Sequence, residues 1–77
     1  MKVRVRCFTG MRRYAPDGKG DFRLELPEGA SVEKMLETLG VPPEMRPFIA
    51  VNGRQAEAGH RLRDGDGVVV FSLAEGG

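Results

Sequence analysis

Few residues in this 77-residue chain could do chemistry, and their spacing removes most of the options. Gly18-Lys19-Gly20 suggests a phosphate loop, but that pattern needs a glycine where Arg13 stands and a Ser or Thr where Gly20 stands. Asp64 and Asp66 suggest calcium, yet the third ligand position holds Val68, and a solvated turn is the better reading. Cys7 is the only cysteine, which leaves no internal disulfide, multi-cysteine zinc site or Cys-ligated iron–sulfur cluster. His60 is the only histidine and has no cysteine nearby, so no metal site is expected. What remains is Gly76-Gly77. A diglycine has no side chains, so it can thread a narrow channel and present its carboxylate to another protein's active site.

The charge pattern supplies a second candidate. Residues 1–16 hold Lys2, Arg4, Arg6, Arg12 and Arg13 and no acid, a local charge of +5, whereas the remainder carries −4. Alternation places Arg4, Arg6 and Phe8 on one side of a strand, where they form either a solvated face or a docking surface for an acidic partner or nucleic acid. No nucleic-acid module and no ordered aromatic platform accompanies them.

These groups must be positioned by a few short elements. Lys2–Phe8 alternates, with Val3, Val5 and Cys7 turned inward, and reads as a half-buried strand. Inward burial also makes Cys7 a small hydrophobe rather than a nucleophile paired with His60. Thr9–Gly20 is a polar connection with a turn at Pro16-Asp17-Gly18 and a helical turn over Met11–Tyr14. Asp21–Leu26 alternates again, with Phe22, Leu24 and Leu26 on the core side. Ser31 caps a helix whose stripe is Val32, Met35, Leu36 and Leu39, and Gly40 ends it before Pro42 and Pro43. Phe48–Val51 is a strand, Asn52-Gly53 a hairpin turn, and Arg54–Ala56 a brief return strand. The apolar run Val68–Phe71 suits a central strand, which makes Phe71 a core candidate. With one helix, only one face of such a sheet is covered; the other meets water or a partner.

Composition bounds the rest. The chain is 40% hydrophobic and 30% charged with a net charge of +1, and no 18-residue apolar run or secretory signal is visible. One soluble cytoplasmic domain is expected, with no membrane association. A chain this short buries only about 60% of its unfolded surface and has a stability of about 4–12 kcal/mol, which leaves little room for a deep catalytic pocket. Eleven glycines are about twice the usual share of roughly 7%. Nine serve turns or the helix cap; Gly76 and Gly77 follow the last strand and end no element.

With this element order, four stretches carry a resemblance over nearly the whole chain. They are Leu26-Pro27-Glu28-Gly29-Ala30-Ser31-Val32 entering the helix, Val51-Asn52-Gly53, Leu62-Arg63-Asp64-Gly65-Asp66 before the last strand, and Gly76-Gly77. The chain resembles the ubiquitin-like sulfur-carrier family, which includes the molybdopterin synthase small subunit and the thiamine-pathway sulfur carrier. The resemblance implies an α+β β-grasp fold: a mixed four- to five-stranded sheet with one helix on one face. It implies a β-grasp domain over residues 1–72 and a flexible tail over 73–77. It also implies that an E1-like enzyme uses ATP to adenylate the Gly77 carboxylate, and that a sulfur donor converts it to a thiocarboxylate for a synthase subunit. The chain would then be no enzyme and would bind no cofactor or metal; catalytic groups would belong to its partners. Phe8, Phe71, Leu73, Arg4 and Arg6 are the expected partner-binding residues on the open sheet face.

Two departures from the family pattern leave the pathway open. Ser72 and Leu73 follow Phe71 where many molybdopterin-type members place prolines, and Glu75 sets a negative charge before the diglycine. Molybdopterin or tungstopterin, thiamine and sulfur amino acids are all candidate pathways. The length and the long first connection favour the molybdopterin type. A ubiquitin-like modifier joined to lysines through Gly77 is a second reading. A third is a binding module that grips RNA through its basic first strand, although no nucleic-acid partner is expected.

Overall fold

Side-chain alternation decides which way each strand faces. The computed structural model describes residues 1–72. In strand β1, Lys2–Cys7, the side chains of Val3, Val5 and Cys7 are buried while Lys2, Arg4 and Arg6 are exposed. Strand β2, Asp21–Glu25, follows the same rule less tightly, with Phe22 and Leu24 half-buried. It pairs antiparallel with β1, Val5 opposite Phe22. The connection between them forms a 3₁₀ turn over Thr9–Tyr14, wider than the expected Met11–Tyr14, and it buries Met11 completely.

Helix α1, Val32–Leu39, begins where the Ser31 hydroxyl accepts a hydrogen bond from the Lys34 amide at 3.2 Å. It ends at Gly40, whose φ of 80° lies in the left-handed region. Val32 and Met35 are fully buried, and Leu36 and Leu39 lie half-buried beside them. A second 3₁₀ turn, Pro43–Met45, leads to strand β3, Phe48–Val51. Asn52 and Gly53, with φ of 50° and 84°, turn the chain into strand β4, Arg54–Gln55, shorter than expected by one residue. Positive φ at both positions is what a tight hairpin requires.

Strand β5, Gly67–Phe71, enters the middle of the sheet. The order is β2-β1-β5-β3-β4, with β5 parallel to β1 and antiparallel to β3. This is a mixed five-stranded sheet with one helix, the β-grasp architecture. The core lies between sheet and helix, where Val3, Val5, Val68 and Val70 meet Val32 and Met35. Only alternate residues of β5 face that core. Val68 and Val70 are buried, whereas Val69 and Phe71 look out from the opposite side and are half-buried. Of the two readings of Phe71, the structure gives the open face and not the core: a continuously apolar strand here has one covered and one uncovered face. Among the described residues, no helix is long and apolar enough to cross a membrane.

Candidate functional site

The uncovered sheet face divides into a charged half and an apolar half. The charged half belongs to β1 and β2. Arg6 stands opposite Asp21 and Arg4 opposite Arg23. Arg4 avoids its like-charged neighbour by reaching diagonally to Asp21, with Nε and Nη2 donating to the two carboxylate oxygens at 3.0 and 2.9 Å. A forked contact of this kind holds both groups in register. Arg6 lies further off, its Nε 3.9 Å from the same carboxylate. The Asp21 carboxyl is held below its ordinary value by the Arg4 hydrogen bond, and Arg4 is raised by the same partner. A +5 count for residues 1–16 thus overstates the positive field, because Asp21 follows just outside that block and folds back onto it.

The apolar half is built from β5, β3 and the residue after β1. Phe48 stands opposite Phe71 and Ala50 opposite Val69. The rings of Phe48 and Phe71 are stacked with centroids 5.5 Å apart. Phe8 is extended, its amide donates to the Val70 carbonyl at 2.9 Å, and one further step of the β1–β5 register sets it beside Phe71. Phe8 and Phe48 are the large hydrophobics exposed on the described surface, at 41% and 38%. Three phenylalanines therefore follow one another across three neighbouring chain segments.

Of the expected surface, Phe8, Phe71, Arg4 and Arg6 share this face. Leu73, Gly76, Gly77 and the proposed 73–77 tail lie outside the described residues. Phe48 was missed as a member. Its signal was available: if Ile49 and Val51 point inward, Phe48 and Ala50 must point outward.

The rejected motifs have local structural roles. The Lys19 and Gly20 amides, which a phosphate loop would offer to a ligand, donate instead to Asp17 Oδ1 at 2.9 and 3.2 Å. Asp64 Oδ1 accepts the Lys2 amide at 2.7 Å, and both Asp66 oxygens accept N–H donors from Asn52 and Arg63. Among the described residues no group of three or more metal-ligating side chains forms. Cys7 is buried, and burial, followed by the charge of Asp17, pushes its thiol pKa up, while His60 is exposed in its loop.

A mixed five-stranded sheet that grasps one helix defines the ubiquitin-like β-grasp class. More particularly, the chain belongs to the Mut7-C ubiquitin family, whose profile matches residues 1–76. It is similar to a Pyrococcus furiosus protein designated molybdopterin converting factor, subunit 1, at 32% identity. That likeness covers 94% of this chain and 97% of that one, with a TM-score of 0.76. Small archaeal modifier protein 1 of Haloferax volcanii shares the fold at 20% identity, 92% and 95% coverage and a TM-score of 0.74. So does a complex of subunits 1 and 2 of the Helicobacter pylori molybdopterin-converting factor, at 20% identity, full coverage of both chains and a TM-score of 0.63. Comparison with curated proteins returns no match. The expected resemblance to the ubiquitin-like sulfur-carrier family holds.

Proposed function

We propose that this chain is a sulfur carrier whose Gly77 carboxylate is activated by a partner enzyme and leaves it as a thiocarboxylate. A carboxylate is a poor electrophile. Attack of its oxygen on the α-phosphorus of ATP expels pyrophosphate and forms an acyl adenylate, from which AMP is a workable leaving group. A hydrosulfide equivalent from a sulfur donor then attacks the Gly77 carbonyl carbon, AMP departs, and sulfur remains on the carbon. Gly76 contributes slimness. The catalytic groups and the nucleotide site belong to an E1-like adenylating enzyme, and the sulfur acceptor is a synthase subunit. ATP dependence makes the cytoplasm the site of action. The pathway we favour is molybdopterin or tungstopterin biosynthesis.

The observation that carries this reading is the 32% identity, over almost the whole of both chains, with a protein designated molybdopterin converting factor, subunit 1. Gly76-Gly77, five residues beyond the central strand β5, supports it. The bare face supplies the docking surface: Phe8, Phe48 and Phe71 as aromatic anchors, flanked by Arg4 and Arg6. Aromatic and arginine side chains dominate the energetics of protein interfaces, and an apolar centre with a charged rim is their usual form.

The test is intact mass spectrometry of the chain after incubation with its adenylating enzyme, ATP and a sulfur donor. The mass first establishes that the polypeptide ends at Gly77. The expected product then gains the difference of one oxygen-for-sulfur exchange, located at Gly77 by fragmentation. Absence of exchange, in a sample where the partner complex has been demonstrated, overturns the proposal. Branched Gly-Gly remnants on cellular lysines would show that the same activated terminus also modifies proteins.

A further inference from the structure

A second cationic surface lies away from the bare sheet face, at the end of the sheet where β5 begins. A groove of 440 Å³ runs between the Asn52-Gly53 turn, β4 and the 59–66 loop. Arg54, Arg61, Arg63 and His60 border it, together with Asn52 and Gln55. The block tally of charge hides this cluster, because several acids counted with it are placed elsewhere. Glu33, Glu37 and Glu57 border a separate groove beside α1.

Among the described residues, the one acid lining the arginine groove is already engaged. Asp66 Oδ1 accepts from Asn52 Nδ2 at 2.9 Å and Oδ2 from the Arg63 amide at 2.8 Å. Among the described residues, three guanidiniums against one carboxylate give the groove a net charge of +2. Arg61 donates from Nη1 to the Gly29 carbonyl at 3.1 Å. The guanidiniums of Arg54 and Arg63 have no hydrogen-bond or ion-pair partner among the described residues.

The frame beneath these side chains is held firmly. Asn52 Oδ1 accepts the Gly67 amide at 2.9 Å, which ties the hairpin turn to the start of β5. Arg61 forms an antiparallel bridge with Ser31, and the Leu62 amide donates to the Ala30 carbonyl at 2.8 Å. A fixed backbone removes the cost of ordering the loop, and the planar guanidinium forks lose less freedom per hydrogen bond than lysines would.

We propose that this groove binds the phosphates of an oligophosphate ligand, either a free oligophosphate or the backbone of a nucleic acid. Guanidinium forks match phosphate oxygens, and amide and imidazole N–H groups complete such sites. An acidic protein fits less well, because among the described residues Val51 and Ala56 are the only apolar ones lining the groove and neither is a large anchor. The proposal does not depend on the sulfur-carrier reading, since it concerns other residues and a different ligand.

The test titrates the ¹⁵N-labelled chain with sodium tripolyphosphate and, separately, with a short oligouridylate at low salt. Amide shifts are expected at residues 52–55 and 60–66 with at least one ligand. The double variant Arg54→Ala/Arg63→Ala weakens binding by roughly tenfold or more, since each charge-assisted hydrogen bond is worth about that factor. Arg4→Gln, on the other face, leaves binding unchanged, and circular dichroism shows that every variant folds. Tighter binding of oligouridylate, with a log–log salt slope of about −2 for three phosphate contacts, identifies a nucleic-acid backbone. Equal or tighter binding of tripolyphosphate identifies a free oligophosphate. No shift with either ligand, undiminished binding by the double variant, or preference for a glutamate-rich peptide at these residues overturns the proposal.

Discussion

The rings of Phe48 and Phe71 lie stacked across β3 and β5, with centroids 5.5 Å apart and planes 17° from parallel. They lie on the face that no helix covers, so the contact orders two aromatic side chains without enclosing them. Held flat, both rings can meet a partner with little further loss of rotamer freedom, which lowers the cost of association. The pair joins the end of the central strand, five residues before Gly76, to a surface that another protein can grip.

Truncating that pair should separate stability from recognition. Phe48→Ala removes the ring contact, worth about 0.5–1.5 kcal/mol, together with the partial burial of the ring, and is expected to cost about 1–3 kcal/mol in a urea unfolding curve. Affinity for the proposed sulfur-accepting subunit, read by calorimetry, is expected to fall by about 2 kcal/mol or more if the ring is an interface anchor. Phe8→Ala should weaken the same binding with a smaller change in stability, because Phe8 is the most exposed of the three and has no stacked ring partner. Unchanged partner affinity in both variants would remove this face as the docking surface.

A sharper constraint acts at the entrance to β2. Gly20 has φ of +86°, and a Cβ added there would lie 2.6 Å from the Cys7 carbonyl oxygen, which is backbone and cannot rotate aside. Gly18 has φ of +70° and open space around it. Gly18→Ala is therefore expected to cost only the left-handed penalty of about 1–2 kcal/mol. Gly20→Ala adds the clash and should cost about 3 kcal/mol or more. Urea denaturation of the two variants measures the difference; equal losses would show that the chain relaxes around Gly20.

How much of this could be read in advance follows from what leaves a periodic trace. Val3, Val5 and Cys7 recur every second residue and Val32, Met35, Leu36 and Leu39 at helical spacing, so β1 and α1 were legible. Asn52-Gly53 announces its own turn chemistry. Met11 was not legible as a core residue, because one apolar side chain in a polar connection has no period, yet it is fully buried. A run of four apolar residues, Val68–Phe71, conceals which of them face out, so spacing alone left Phe71 between the core and the open face. The Arg4–Asp21 contact and the arginine groove bring together residues far apart in the chain, which local spacing cannot show. The diglycine was visible by position alone.

Acid should loosen the charged half of the face through Asp21. Arg4 holds that carboxyl below the ordinary value of about 3.9, so the unfolded chain takes up the proton first as pH falls. The stability that this contact contributes is complete above about pH 4 and is lost as pH falls through the depressed native pKa. Both groups are solvent-exposed, so the effect is small and reduced by salt. Carboxyl-detected NMR should find Asp21 titrating below a typical aspartate, and in Arg4→Gln it should move back up. An unmoved midpoint in that variant would mean the forked contact does not persist in solution.

Cys7 and Met11 together offer a measure of the core that needs no denaturant. Cys7 is buried, and burial holds its thiol pKa up, so the native chain should resist alkylation near pH 8. Reaction then requires opening, and the ratio of the labelling rate to that of a free thiol reports the opening equilibrium. For a stability of about 4–12 kcal/mol the protection should be on the order of a thousandfold or greater. Met11→Ala removes a completely buried side chain from the connection between β1 and β2, at an expected cost of about 2–5 kcal/mol. Protection of Cys7 should accordingly drop by about thirtyfold to several thousandfold, in step with the urea midpoint. Protection that survives Met11→Ala while the midpoint falls would show that Cys7 is shielded by a local barrier, with the 3₁₀ turn opening independently of the sheet.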